Sequence, residues 1–194
     1  MIIVINKFEP VPAGVFEVDT TSAGPFKDLS PFYLGPYSWT ESNLSMQAVR
    51  MENLWQYSKV YPQHVDAEGN ILQSWFQWRD AGFKSMRATR YPMGKGAKPL
   101  CTRWMGQRLT YIEARKALYI PVYSELVLRT RSYAMLYEWV MKGTKHIALR
   151  DFDGYRHIDA GMTLKDVINN SAKSMGHAFI IYGLLTGELR EAML

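Results

Sequence analysis

The sequence predicts an α+β fold, mostly helical, built as a single compact domain over residues 1–194. Three observations carry that expectation. MIIVINKF at the start and HIALRDF from His146 are apolar runs of strand length, not helix length. Between and after them lie longer stretches with helical spacing, such as ILQSWFQWRDAGF and HAFIIYGLLTGEL. No internal repeat, linker or low-complexity tract divides the 194 residues, a length that suits one domain with a sizeable core.

The elements follow in chain order. Residues 2–8 read as a buried strand and 15–18 (VFEV) as a short second one. From Thr20, a run rich in Pro, Gly and aromatic residues reads as a loop. Capping residues at 40–43 introduce a helix expected over about 44–60, stopped before Pro62. HVDAEGN is a turn, and ILQSWFQWRDAGF a helix ending at Gly82. RYPMGKGAKPL, with its Gly, Pro and Lys, is a loop. TYIEARKALYIPVYSELVLRT reads as a helix interrupted near Pro121 and resuming, with helical content continuing over 136–142. HIALRDF is a strand and DGYRH a turn after it, and TLKDVINNS and HAFIIYGLLTGEL close the chain as two helices.

Composition narrows the functional classes. A hydrophobic content of 47% with 21% charged residues is that of a globular protein. The formal charge of +5 tilts the expected partner towards phosphates, and 13% aromatic residues supply flat surfaces for bases and sugars as well as core. A single cysteine, Cys101, excludes an internal disulfide and a multi-cysteine zinc site and suits a cytoplasmic setting; it reads as a small, partly buried hydrophobe. The four histidines have no ligand-like spacing, so neither a metal nor a cofactor is expected. The N-terminus reads as a strand and not as a signal peptide, and no run reaches the roughly 20 apolar residues of a membrane span.

Three stretches carry candidate chemistry. In MENLWQYSKVY, Glu52, Gln56 and Lys59 stand at i, i+4 and i+7, within a ~60° arc on a helix. A carboxylate, an amide and an amine beside Trp55 and Tyr57 suit glycosidic chemistry. The amide can orient a sugar hydroxyl, and the carboxylate can stabilise an oxocarbenium-like centre. The amine can attack the anomeric carbon if desolvation lowers its pKa, against which the neighbouring Glu works. The bland alternative is a solvated Glu and Lys face. In RYPMGKGAKPL, Arg90, Gly94, Lys95 and Lys98 can cradle phosphate, although the spacing is neither a Walker loop nor a dinucleotide fingerprint; a plain surface turn is the alternative. In RDFDGYRH, Asp153 is a candidate carboxylate for acid or electrostatic work on a sugar, set against the habit of such aspartates to cap the turn after a strand.

Taken in order, LSPFYLGP, MENLWQYSKVY and MGKGAKPLCTRW with the helix after it resemble the motifs of the NADAR (YbiA-like) superfamily over roughly residues 29–125. Glu52, Gln56 and Lys59 fall in register with the family's Glu, Gln and Lys. Asn53 stands where the family has His, Pro31 where it has Asn, and Lys95 where it has Arg. RDFDGY stands near the family's acidic stretch and lacks its Trp. The resemblance implies a divergent member, of the kind a phage encodes: an N-glycosidase cleaving a ribosyl C1–N bond, above all one removing ADP-ribose from modified nucleobases in DNA or RNA, as an antitoxin or counter-defence enzyme. It implies Glu52, Lys59 and Asp153 as catalytic residues. Gln56, Trp55, Phe32, Arg90, Gly94, Lys95, Lys98 and Trp104 would bind the substrate, an ADP-ribosylated nucleic acid or a ribosylated nucleotide.

Two other readings stay open on the residues. One is a module that binds ADP-ribose or a modified nucleotide without turnover. The other is a nucleic-acid-binding protein that uses its basic, aromatic surface and does not depend on Glu52.

Overall fold

A computed structural model describes residues 1–194. The chain is α+β, with about 37% of residues in helix and 18% in strand, so helix exceeds strand without forming a majority. It separates into two compact units, one made of Met1–Ser30 with Tyr123–Leu194 and the other of Pro31–Val122. No helix is long and apolar enough to cross a membrane.

In chain order, β1 (Ile2–Asn6) and β2 (Phe16–Asp19) fall where the apolar runs placed them. β3 (Tyr37–Glu41) and β4 (Leu44–Ala48) precede α1 (Met51–Tyr57), and β5 (Lys59–Val60) follows it directly. Next come α2 (Gln73–Lys84), β6 (Cys101–Trp104), β7 (Gln107–Leu109) and α3 (Tyr111–Ala114). A π-helical turn over Arg115–Tyr119 leads into α4 (Ile120–Val127), followed by α5 (Arg131–Met141). β8 (Ile147–Asp151), α6 (Leu164–Asn169), α7 (Ala178–Thr186) and α8 (Leu189–Ala192) complete the chain.

The first unit holds a three-stranded parallel sheet in the order β1-β8-β2. β8 lies in the middle, paired from Ile2↔Ile147 to Asn6↔Asp151 on one side and from Phe16↔Ile147 to Asp19↔Arg150 on the other. Its run Ile147, Ala148, Leu149 is fully buried, as expected of a central strand covered on both faces. α7, apolar almost all round, packs on β1, β8, α5 and α8, which explains its lack of a polar face. The last apolar run is not one helix: α7 ends at Thr186, and α8 begins after Gly187.

The second unit corrects the largest expectation. The helix expected over 44–60 is a strand, a seven-residue helix and a second strand. β3 and β4 form an antiparallel hairpin in the register Tyr37↔Ala48 to Glu41↔Leu44, leaving Ser42 and Asn43 as a two-residue turn. Both turn residues have positive φ, 50° and 65°, the geometry that matches the twist of a two-residue hairpin. The capping signal at 40–43 is therefore turn chemistry, because Ser and Asn serve both purposes. Downstream, backbone groups are committed elsewhere before a helix could use them: the Val49 N–H donates to the Phe83 carbonyl at 2.9 Å. α1 ends where Lys59 and Val60 pair with Thr102 and Cys101 of β6.

β6 and β7, not expected from the sequence, form a second hairpin whose turn is Met105-Gly106, again with positive φ at both positions. The two turns meet, since the Gly106 N–H donates to the Glu41 carboxylate at 2.9 Å. α2 runs two residues past Gly82 and packs on α1 and β4. A Cβ at Gly82 would lie 2.0 Å from the Tyr57 ring, so only glycine allows this approach. At Pro121 the helix does not break. The Ile120 N–H reaches back to the Arg115 carbonyl, and the extra residue of the π turn absorbs what proline removes from the ladder.

Because Ser42 and Asn43 bear the cost of left-handed backbone, the double substitution Ser42→Asn, Asn43→Gly is expected to raise stability by about 0.5–1 kcal/mol. A higher urea midpoint with an unchanged m-value checks it.

Candidate functional site

α1 is the element on which the site is built, and its exposure pattern is unusual for charged residues. Glu52 is 5% exposed, Gln56 8% and Asn53 0%. That excludes the solvated face as the setting of Glu52 and Gln56. A buried polar group costs free energy unless its hydrogen bonds are made, and here they are made along the stripe. The Lys59 ammonium donates to Gln56 Oε1 at 2.7 Å, and Gln56 Nε2 donates to Glu52 Oε1 at 2.8 Å. The amide orientation is thereby fixed, with oxygen towards the amine and nitrogen towards the carboxylate.

Lys59 is not on the helix, as its spacing suggested, but at the first position of β5. It still meets Gln56 because the chain turns directly from α1 into the strand. The position is held twice by backbone: Lys59 pairs with Thr102, and its carbonyl accepts the indole N–H of fully buried Trp75 at 2.9 Å. Burial pushes the Lys59 amine down to about 8, the nearby Glu52 charge pulling the other way. The opposing effects named from the sequence are both present, and desolvation wins.

Aromatic rings flank the amine. Lys59 Nζ lies 5.0 Å from the Trp55 ring centroid. Trp55 packs on Tyr119 at 4.9 Å and Tyr111 at 6.2 Å, and the Arg115 guanidinium sits 4.5 Å from the Tyr111 ring. Arg115 is 2% exposed, a buried cation that sequence reasoning passed over. Its signal was an Arg inside the apolar run YIEARKALY, and its π turn is a local geometry often found at functional sites.

Arg50 and the clamping role of Asn53 escaped notice because both act on backbone. The Asn53 amide donates to the carbonyls of Ser85 (3.0 Å) and Arg87 (2.9 Å), and its oxygen accepts the Thr89 N–H (2.9 Å). Arg50 donates to the carbonyls of Tyr33 at 2.8 Å and Met86 at 3.2 Å. Through these bonds α1 fixes the 85–89 segment, which leads into the glycine loop. The Glu52 N–H donates to the Pro31 carbonyl at 2.9 Å, which docks the chain beside half-buried Phe32 on the same helix end.

The remaining candidates are placed as follows. Gly94 and Gly96, with φ of 93° and 91°, shape two successive turns, closed by Gly94 N–H to Tyr91 carbonyl at 3.1 Å and Ala97 N–H to Gly94 carbonyl at 3.3 Å. Lys95 and Lys98 are exposed there, and Arg90 is half-buried with its guanidinium 5.3 Å from the Tyr91 ring. Trp104 is buried against Trp39 at 5.1 Å, a packing contact between the two hairpins. Asp153 belongs to the other unit, in the turn after β8, where its N–H donates to Asp151 Oδ1 at 3.4 Å. Asp151, not Asp153, is the buried carboxylate. It takes the Ala178 N–H at 3.2 Å and lies 3.0 Å from His177 Nδ1, so the capping reading of this stretch describes Asp151. The Cys101 thiol is pushed up by burial, with Arg108 and Arg103 pulling it back, an environment that does not favour a thiolate nucleophile.

No protein-family model, no curated protein and no solved structure matches the chain.

Two outcomes follow from this geometry. ¹³C-methylated Lys59, followed by NMR, is expected to titrate near 8; in Glu52→Gln it moves lower still, because the charge that raises it is gone. Asn53→Ala takes the partner from two part-buried carbonyls and one N–H and should cost about 2 kcal/mol in chemical denaturation.

Proposed function

We infer that the chain is an N-glycosidase of NADAR type, cleaving a ribosyl C1–N bond and removing ADP-ribose from modified nucleobases in DNA or RNA. The observation that carries this reading is the buried chain Glu52–Gln56–Lys59, which ends in an amine with a pKa of about 8 beside Trp55. The family resemblance in those same positions adds the substrate class.

In this reading Glu52 stabilises the positive charge that develops on the sugar as the C1–N bond breaks. Gln56 holds the carboxylate and the amine in one orientation. Lys59, as the free amine, attacks C1; the base leaves with the bonding electron pair and takes up a proton. Opening of the C1–O4 bond then gives an imine to Lys59. Water adds to that imine, the amine departs, and the released sugar closes its ring, so the net reaction is hydrolysis. At pH 7 about a tenth of Lys59 is neutral, enough to support attack.

A second reading has one observation in its favour. Asn53 stands where the family has His, and its three hydrogen bonds all go to the 85–89 backbone. A chain that has turned that position into a structural clamp can keep the buried Glu52–Gln56–Lys59 chain for binding ADP-ribose or a modified nucleotide without turnover.

The deciding experiment is incubation of the protein with ADP-ribosylated guanosine and thymidine oligonucleotides, read by mass spectrometry. Turnover with release of ADP-ribose is the expected result; binding without turnover gives the second reading. Glu52→Gln should lose two to three orders of magnitude in kcat, about 3–4 kcal/mol, while still folding. Borohydride should trap an adduct in the parent protein and none in Lys59→Ala. With a neutral amine as nucleophile, kcat/KM should rise tenfold per pH unit below about 8 and level off above it. A rate that falls with pH over that range removes Lys59 as the nucleophile.

A further inference from the structure

The charge of this chain is not shared between its two units. Residues 31–122 contain twelve Lys and Arg against six Asp and Glu, a formal +6, whereas the rest has eleven against twelve, a formal −1. The asymmetry is concentrated further. Between Asp80 and Glu113 there is no acidic residue, and there are seven Lys or Arg: Lys84, Arg87, Arg90, Lys95, Lys98, Arg103 and Arg108.

Pairing differs between the units as well. In the first unit the cations Lys7, Arg129, Lys142, Arg150 and Arg156 each contact a carboxylate. In the basic segment, Lys84, Arg87, Lys95 and Lys98 are exposed, and none of the four has an acidic partner. Like charges along one short segment without counter-charges repel, and a polyanion relieves that repulsion while releasing condensed counterions. The backbone under them is held in place. Asn53 and Arg50 bind the carbonyls of Ser85, Met86 and Arg87, and two glycine turns shape the loop that follows. Tyr91, 48% exposed between the two halves of the segment, offers a ring on which a base can stack.

We propose that residues 84–98 form a surface that tracks the phosphodiester backbone of single-stranded nucleic acid, with a base on Tyr91. This deepens the glycosidase reading by making the polymer, and not only the modified nucleotide, what the chain recognises. The contact itself needs no turnover, so the two can fail separately.

The test is fluorescence anisotropy with fluorescein-labelled oligothymidylate across a salt series. The parent protein should bind with a log–log salt slope of about −3, as roughly four phosphate contacts to a single strand require. Replacing Lys84, Arg87, Lys95 and Lys98 together by Ala should bring the slope close to zero and weaken low-salt binding by more than tenfold. All four side chains are exposed, so the thermal transition should be kept. Tyr91→Ala should weaken binding several-fold with the slope unchanged, and Glu52→Gln should bind as the parent does. Absence of parent binding at low salt, or equal binding by the four-Ala protein, overturns the surface. Turnover of an ADP-ribosylated mononucleoside without oligothymidylate binding rejects the surface alone; salt-dependent binding with no turnover on any ribosylated substrate rejects the glycosidase alone.

Discussion

The requirement that buried polar groups find partners is what the second unit is organised around. α1 has only seven residues, yet it places a carboxylate and two amides where water hardly reaches. An isolated helix of that length would not hold in water, so the surrounding contacts hold it. Asn53 meets the requirement by binding the backbone of 85–89, and Gln56 by bridging Glu52 and Lys59. Each bond that satisfies a buried group also fixes a neighbouring segment, so the energetic constraint and the geometry of the site are one arrangement.

That arrangement sets the state of the amine. A solvated lysine near a carboxylate would be held protonated, whereas Lys59 is pulled down to about 8 because desolvation outweighs the attraction of Glu52. Trp55 contributes a half-buried ring whose face is near the cation. The outcome is an amine that is neutral part of the time near physiological pH, while the carboxylate two hydrogen bonds away steadies its position. Arg115, buried against Tyr111, extends the same aromatic cluster. Its placement depends on the π turn that Pro121 accompanies.

The first unit follows different physics. Its parallel sheet is a packing solution, with β8 buried between two strands and under α7, and its exposed Arg129 and Lys142 each pair with a glutamate one helical turn away. Asp151 and His177 form a buried pair there, and each ring nitrogen of His177 faces an oxygen, Asp151 Oδ2 at 3.0 Å and the Thr20 carbonyl at 2.7 Å. A Cβ at position 176 would fall 2.3 Å from the same carboxylate, so this corner is filled by its own chain. The excess of basic over acidic residues belongs to the unit that carries the candidate chemistry.

By itself, the sequence determined the elements whose apolar runs are long or continuous. β1, β8, α2 and the C-terminal helices are set by burial of those runs, and the loop over 90–98 by its glycines and prolines. The candidate stripe was legible too, since i, i+4, i+7 spacing brings the three side chains near each other in more than one backbone path. Only the tertiary structure decided that 44–48 pairs with 37–41 instead of joining α1. Ser42 and Asn43 fit a helix cap and a hairpin turn equally well, and the choice rests on cross-strand partners far from the local signal. β6 and β7 were hidden for the same reason: short strands owe their stability to neighbours, not to their own residues. The burial of Glu52, Gln56 and Lys59 belongs to that class, because a hydrogen bond from Asn53 to residue 87 or from Trp75 to residue 59 cannot be read from spacing. Periodicity names the face of an element, and only packing decides what covers it and how far a charge on it is withdrawn from water.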